Sequence, residues 1–290
     1  MLKEVSPEKL EEIKQLVIEA LNISFKIHDS LGKSGEEIIE KNRFGDTALK
    51  VDIYIEKTII DFLKATNLNI KLISEEHGIT KIGGKPEYLA IMDGLDGSGL
   101  YKNERCKGRY ATMFGIFLGE NPHYQDYLVC GIAEHAKKKI YLAVRGQGSE
   151  LIENNTYAPI KTSGVIQLSK KTKIRVDDFF PTNSRVFSEP LKKSGYTTTY
   201  DKSSSIYYAD VACGRADLAL ECTRKGNLEI AISYGLIHES DGVICDVSGH
   251  DLGPRLYLEF GQQAQLPIIT AATAELAQDL IKFLENNTNS

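Results

Sequence analysis

"IMDGLDGSGLYKN", residues 91–103, is the stretch on which the reading of this chain turns. The preceding residues, "YLAIM" (88–92), hold no charge and have the length and apolar character of a buried strand. Two carboxylates follow three residues apart, Asp93 and Asp96, among Gly94, Gly97 and Gly99. Glycine lets a backbone enter conformations closed to other residues and approach a ligand closely. The stretch therefore predicts a core strand that delivers two acids onto a glycine-rich turn. Loops at the ends of core strands are where layered folds collect their chemistry.

Working outward, more acids fall at comparable places. "NIKLISEE" (69–76) reads as a second strand ending in Glu75 and Glu76. Asp52 sits in the first turn of a helix predicted over 51–65, and Glu229 opens a helix predicted over 228–240. Taken singly, each reads as a solvated turn, because Asp and Gly populate turns for conformational reasons. Taken together, they form an all-oxygen ligand set without histidine or thiolate. Such a set suits a hard divalent cation, Mg²⁺ or Mn²⁺, and paired ions can clamp a phosphoryl group and activate water.

The remaining pattern is mixed. Ser6 and Pro7 predict the N-cap and first residue of a helix with apolar positions at Leu10, Ile13, Leu16, Val17, Ala20 and Leu21, stopping at Gly32. Strands are expected at 112–119, 127–134 and 139–146, then in "KIRVDDF", "GRADLALE" and "PIITAAT". A helix is expected at 203–214, and a closing helix follows a Thr273 N-cap, with "NNTNS" disordered at the end. Strands and helices interleave without a linker or repeat, which suggests layered α+β sheets with helices between. We expect one unit over 1–290. An N-terminal half, approximately 1–150, would carry most metal ligands, and a C-terminal half, approximately 151–290, would complete the site.

Composition narrows the function. A net charge of -5 with acids and bases intermixed excludes nucleic acid as the main partner. No apolar run is long enough to span a bilayer, and the amphipathic N-terminus lacks the apolar core of a signal peptide, so a cytoplasmic protein is expected. Five cysteines without C-x-x-C read as reduced, mostly buried thiols, and six scattered histidines give no zinc pattern.

"LISEEHG", "IMDGLDGS" and "NLEIAISYGLIHESDG", with "LKVDIYIEK" upstream and "DVACGRADLALE" between, resemble the inositol monophosphatase and fructose-1,6-bisphosphatase superfamily of metal-dependent, lithium-sensitive phosphatases. The resemblance runs from about residue 46 to 250. It implies a five-layer α-β-α-β-α sandwich and hydrolysis of a sugar or inositol phosphate, with two or three Mg²⁺ ions (or Mn²⁺) per site. It also implies a homodimer or homotetramer. Glu75, Asp93 and the Leu95 carbonyl would hold one ion, and Asp93, Asp96 and Glu229 a second, with Glu76 near a weaker one. Gly97 and Ser98 would offer N–H groups to phosphate, and Asp52 with the Ser98 hydroxyl would act on the attacking water. Glu221 stands where relatives meet a substrate hydroxyl. Ser204 and Ser205 are further candidates for substrate oxygens, and Arg105, Arg109 or Lys225 for a second phosphate. Tyr207 and Tyr208 read as packing residues.

The wording departs from the pattern in places. Many relatives have proline at Gly94, so a more mobile loop is expected here. "SEE", Leu95, Ser98 and Glu229 look like fructose-1,6-bisphosphatases, whereas "GRADLALE" looks like the inositol enzymes. Both inositol 1-phosphate and fructose 1,6-bisphosphate are therefore expected substrates. The alternatives are a 3′(2′),5′-bisphosphate nucleotidase and a non-catalytic phosphate-binding regulatory protein. Asp241, twelve residues after Glu229, competes as a ligand but reads as a turn residue at a helix end.

Overall fold

The computed structural model describes residues 5–41, 47–224, 226–262 and 264–288. Fifteen strands run in chain order: β1 (Ile38–Lys41), β2 (Thr47–Leu49), β3 (Ile70–Ser74), β4 (Gly78–Ile82), β5 (Tyr88–Asp96), β6 (Ala111–Leu118), β7 (Tyr127–Glu134), β8 (Lys139–Val144), β9 (Gly148–Glu153), β10 (Thr156–Ile160), β11 (Ile174–Val176), β12 (Thr198–Thr199), β13 (Leu218–Cys222), β14 (Val243–Asp246) and β15 (Pro267–Ala271). The helices are α1 (Pro7–Leu31), α2 (Lys50–Lys64), α3 (Ser98–Glu104), α4 (Pro181–Asn183), α5 (Glu189–Lys193), α6 (Ser204–Ala212), α7 (Leu228–His238) and α8 (Ala274–Thr288).

One sheet of eight strands has the order β10-β9-β8-β7-β6-β5-β3-β4, and one of five has the order β12-β11-β13-β15-β14. Three apolar cores stack these sheets into layers. The first joins α1 (Ile13, Val17, Leu21) and α2 (Ile55, Ile59, Leu63) to one face of the large sheet. The second fills the middle, where α6 and α7 lie between the sheets. The third joins the far face of the small sheet (Leu218, Leu220, Ile269) to α8 (Leu276, Leu280). The result is the layered α+β sandwich, helix–sheet–helix–sheet–helix. Middle-layer helices need apolar residues all round, and Leu228 and Ile230 to Ile237 of α7 are all buried.

Local chemistry sets the helix ends. Ser6 caps α1, accepting the Lys9 N–H at 3.3 Å, and Thr273 accepts the Leu276 N–H at 3.1 Å before α8. α8 continues through Asn286 and Asn287 to Thr288, so most of the tail expected to be disordered is helical; residues 289–290 lie outside the described set. β1, β2, β4, β9, β10, β12 and β14 were not expected from the sequence, and "KIRVDDF" yields only the three-residue β11.

Candidate active site

Residues three apart in a regular strand point to opposite faces, because side chains alternate with period two. Tyr88, Ala90 and Met92 of β5 accordingly pack in the α1/α2 core, and Leu89 and Ile91 in the α6/α7 core. Asp93 continues toward α6/α7, and a regular strand would send Asp96 the other way. The pairing shows why it does not. Asp93 lies opposite Met113 and Asp96 opposite Ala111, so three steps on β5 match two on β6. That is a β-bulge. It moves Leu95 into the α1/α2 core and returns Asp96 to the α6/α7 side. The strand runs through Asp96, so the two acids belong to a bulged strand end and not to a turn beyond it.

The bulge is pinned from both sides. Thr112, opposite it, donates to the Gly94 carbonyl at 2.6 Å. With its hydroxyl proton so used, Thr112 accepts from His135 Nε2–H at 2.9 Å, which fixes that tautomer. Burial pushes His135 well below the ordinary histidine range and keeps it neutral. A Cβ on Gly94 would meet the Asp52 carbonyl oxygen and Glu56 Cγ, each at 2.9 Å. Gly94 is thus a packing position against α2, which replaces the mobile loop inferred from the missing proline. Gly97 has φ +91, and a Cβ there would meet Tyr110 Cβ at 3.0 Å and Ser203 Cβ at 3.2 Å, so both backbone and space demand glycine.

The fold gathers acids around this point. Carboxylate oxygens of Asp93, Asp96 and Glu229 lie within 4.8 Å of one another, although 133 residues separate Asp96 from Glu229 in the chain. Glu75 lines the same cavity, together with Leu95, Gly97 and Ser98. Asp93 Oδ1 accepts the Leu95 N–H at 2.9 Å, and Ser98 Oγ donates to the Leu95 carbonyl at 3.1 Å. Asp96 Oδ2 accepts Ser203 Oγ at 2.6 Å and the Ser205 N–H at 2.7 Å, so the start of α6 holds this acid. Glu56, buried on α2, accepts N–H groups of Glu75, Glu76 and His77 at 3.0–3.2 Å and ties the "SEE" loop to that helix. Neither Ser203 nor Glu56 was singled out in the sequence. The signals were present, in the hydroxyl run that opens α6 and in an acid one turn after Asp52.

Asp52 does not itself line the cavity. It is buried, and its Oδ2 accepts the Leu49 N–H at 3.0 Å, which caps α2. Burial, then the charges of Glu76 and Glu56, push it well above the usual carboxylate range. Burial followed by Glu75 does the same to Asp93, and burial followed by Glu229 does it to Glu75. Glu229 is raised by burial against the opposing Arg224 guanidinium. A donor set of oxygen atoms alone, crowded so that each acid raises its neighbours, fits divalent cations.

The other predicted residues separate clearly. Ser204 lines the cavity, and its buried Oγ has no partner among the described residues. Glu221 stands behind the wall, bonded by the Tyr208 hydroxyl and 3.4 Å from Arg224. Arg105 is not brought to the cavity. It pairs with Glu36 at 3.1 Å. Arg109 is locked to Glu134 and Asp210 at 2.9 Å each, and Lys225 lies outside the described residues. The basic residues on the cavity wall are instead Arg224 and Lys202. Asp241 has φ +69 beyond the end of α7 and pairs with Lys161, as expected for a turn residue.

Comparison with known proteins agrees with this geometry. The profile of the inositol monophosphatase family matches residues 4–286. Among curated relatives, a bifunctional NADP phosphatase/NAD kinase of Methanocaldococcus jannaschii is 22% identical over 276 residues. That match takes in 84% of this chain but only 47% of the relative, so the chain spans about half of that protein. A fructose-1,6-bisphosphatase/inositol-1-monophosphatase of Methanothermobacter thermautotrophicus is 23% identical, covering 86% of this chain and 87% of the relative. Among solved structures, the extragenic suppressor protein suhB of Bartonella henselae superposes with TM-score 0.75 at 16% identity over 94% of this chain and 98% of its own. An inositol monophosphatase from Anabaena does so with TM-score 0.72 at 18% identity, over 96% and 97%. With the bulged acid pair, the acids gathered around it and the layered sandwich in place, this chain belongs to the inositol monophosphatase family, whose members are phosphoric monoester hydrolases.

Proposed function

We propose that the protein hydrolyses phosphate monoesters of small polyols and sugars, inositol 1-phosphate and fructose 1,6-bisphosphate among them, with Mg²⁺ or Mn²⁺. The observation that carries this reading is the Asp93–Asp96–Glu229 set within 4.8 Å, on one cavity wall with Glu75, Gly97 and Ser98. Glu75, Asp93 and the Leu95 carbonyl would hold one ion, and Asp93, Asp96 and Glu229 another, with Glu76 beside a third. When bound, the ions neutralise phosphate charge and acidify water.

The chain's own groups do the rest. N–H groups of Gly97 and Ser98, at the start of α3, meet phosphate oxygens. The Ser98 hydroxyl, directed at the Leu95 carbonyl, orients the attacking water. Asp52 is kept basic by burial and neighbouring charge, and it takes up the proton passed through Ser98. Ser204 Oγ is free to bond a substrate oxygen. No covalent phosphoenzyme is needed. Cytoplasmic location and a homodimer or homotetramer accompany this reading; among the described residues no helix is long and apolar enough to cross a membrane.

The test is phosphate release from a substrate panel with EDTA and with Mg²⁺ restored. Activity should vanish and return. Full activity in thoroughly chelated protein would refute the reading. NADP and adenosine 3′,5′-bisphosphate belong in the panel, because the M. jannaschii relative is named for NADP phosphatase activity and the cavity wall is partly aromatic.

A further inference from the structure

Two arginines of this molecule meet buried acids, and they meet them differently. Arg109 uses its donors fully. Its Nε and Nη2 grip Glu134 at 2.9 and 3.2 Å, and its Nη1 donates to Asp210 at 2.9 Å. Arg224, on the cavity wall, is divided among three carboxylates. Its Nη2 serves both Asp177 and Glu221, the latter at 3.4 Å. Its Nη1 is 3.7 Å from Glu229 Oε1, too long for a hydrogen bond, so the attraction there is of charge alone. Its buried Nε–H has no partner among the described residues. A guanidinium binds best as a two-pronged fork on one carboxylate, and Arg224 closes that fork on none of its three.

Glu229 is drawn two ways by this arrangement. Its carboxylate is one of the three gathered with Asp93 and Asp96, and it also faces Arg224. Burial works against the charge on Arg224, but Glu229, then Glu221, Asp177 and Asp96, hold it above the ordinary arginine range. The backbone at this point is held, since the Arg224 N–H donates to Asn227 Oδ1 at 2.7 Å, just before α7. The movable part is the side chain. Its guanidinium lies 5.0 Å from the centre of the Phe180 ring. Asp177, which it grips, also accepts the Phe179 N–H at 3.1 Å. Phe179 is 70% exposed and stands edge-on to Phe180, with centroids 5.1 Å apart. One side chain therefore joins the acids to the aromatic part of the cavity wall.

We propose that Arg224 competes with a divalent cation for Glu229 and, on yielding, positions the aromatic wall. When Glu229 takes a cation, the guanidinium is repelled from it, and the idle Nε–H lets Arg224 close a fork on Asp177. Arg224 thus sets how tightly Glu229 holds its cation and carries that event to Phe179 and Phe180. Arg109, with every donor nitrogen engaged, has no such second position. The coupling is reciprocal, so whatever keeps Arg224 on Asp177 tightens the cation. This inference rests on the phosphatase reading above, in which Glu229 is a metal ligand.

The experiment titrates the full chain, without substrate, with Mn²⁺ and with Mg²⁺ by calorimetry. Arg224→Met removes the competing charge and should tighten binding by roughly ten- to a hundredfold, the scale on which neighbours of metal ligands act. Arg224→Lys restores a cation and should return the affinity toward that of the unmodified protein. Asp177→Asn takes away the position to which Arg224 yields and should weaken binding by about tenfold. The chain has no tryptophan, so Phe179→Trp supplies a single reporter of the wall. Its fluorescence should change on adding Mg²⁺, and the change should disappear when Arg224→Met is combined with it. If circular dichroism shows Arg224→Met unfolded, the affinity of Asp177→Asn decides alone. Unchanged affinity in both variants, or a reporter that is silent to Mg²⁺ or still responds after Arg224→Met, overturns the inference and leaves the phosphatase reading intact. No binding of Mn²⁺ or Mg²⁺ by the unmodified protein overturns both.

Discussion

Two groups of acids in this molecule are built on opposite terms. In the first, Asp210 accepts from three arginines, Arg109 at 2.9 Å, Arg175 at 3.1 Å and Arg215 at 2.8 Å, while Glu134 is bound by Arg109 and by the Tyr141 hydroxyl at 3.0 Å. Burial raises both carboxyls, but the arginine hydrogen bonds and charges outweigh it and hold both below the usual range. In the second, Asp52 and Asp93 are buried, Glu75 and Glu229 are half-buried, and all four are raised. The first group is neutralised from within the chain and needs nothing more. The second has Arg224 beside Glu229 at 3.7 Å, but burial and the acids' charges on one another outweigh what lowers them. Buried charge alone does not mark a site; carboxyls crowded so that each raises the next are the stronger pointer.

The contrast can be broken most forcefully by removing the central acid of each group. Asp93→Ala should cut phosphate release by about 10²–10³-fold or more without lowering the melting temperature of metal-free protein, since a repelling charge is gone. Asp210→Ala should do the reverse and cost roughly 1–3 kcal/mol in urea unfolding, because the half-buried Arg109 and Arg175 and the exposed Arg215 lose a buried acceptor. If Asp93→Ala were the variant that failed to fold, the distinction would collapse. Next in size, Asp52→Asn and Ser98→Ala should each lower kcat by about 10²-fold with smaller changes in KM. Asp52 also caps α2, so circular dichroism must show that helix intact before the loss is assigned to the water. Normal kcat in both would remove them from the mechanism.

A smaller effect tests the packing behind the acids. Gly94→Ala forces a Cβ to within 2.9 Å of α2, and a loss of roughly 1–3 kcal/mol is expected in denaturant unfolding, with weaker Mg²⁺ binding by calorimetry. An unchanged variant would return Gly94 to the status of an ordinary loop glycine.

The smallest effect is on pH, and its sign differs between the groups. An acid raised in the folded state binds more protons there than in the unfolded chain. Its contribution to stability is therefore complete below about pH 4 and falls as pH rises. For Asp210 and Glu134 the contribution is present above about pH 4 and is lost below it. Metal-free protein should thus melt at a lower temperature at pH 8 than at pH 5, and saturating Mg²⁺ should remove most of that slope. A slope indifferent to Mg²⁺ would mean that the acids around Asp93 are not where the ion binds.

Much of this was legible in the sequence. The acids at 75, 93, 96 and 229 stood out by type and position, and the apolar periodicities of α1, α2 and the 112–144 strands matched the layers. What escaped has physical causes. A bulge depends on the partner strand, so the face Asp96 occupies could not be read from β5 alone, although a glycine inside a strand pattern is its usual signal. The basic residues near substrate were misplaced, Arg105 for Arg224 and Lys202, because tertiary pairing decides which cations remain on a wall. Phe179 was passed over because an aromatic next to acids in "VDDFF" reads as a strand continuing into the core, whereas β11 stops at Val176.

The bulge in β5 also has an evolutionary consequence. It works as a parity device, since it lets two acids three residues apart look the same way. Substitutions in the stretch can be graded in their effects, but a change of length cannot. Deleting one residue there while the bulge pinned by Thr112 stayed in place would turn Asp96 toward α2, and losing the bulge instead would keep both acids on one face but remove the extra backbone step between them. Lineages of this chain are therefore held to the number of residues in "DGLD" as well as to its acids, and alignment gaps among functional descendants should fall on either side of this stretch and not within it.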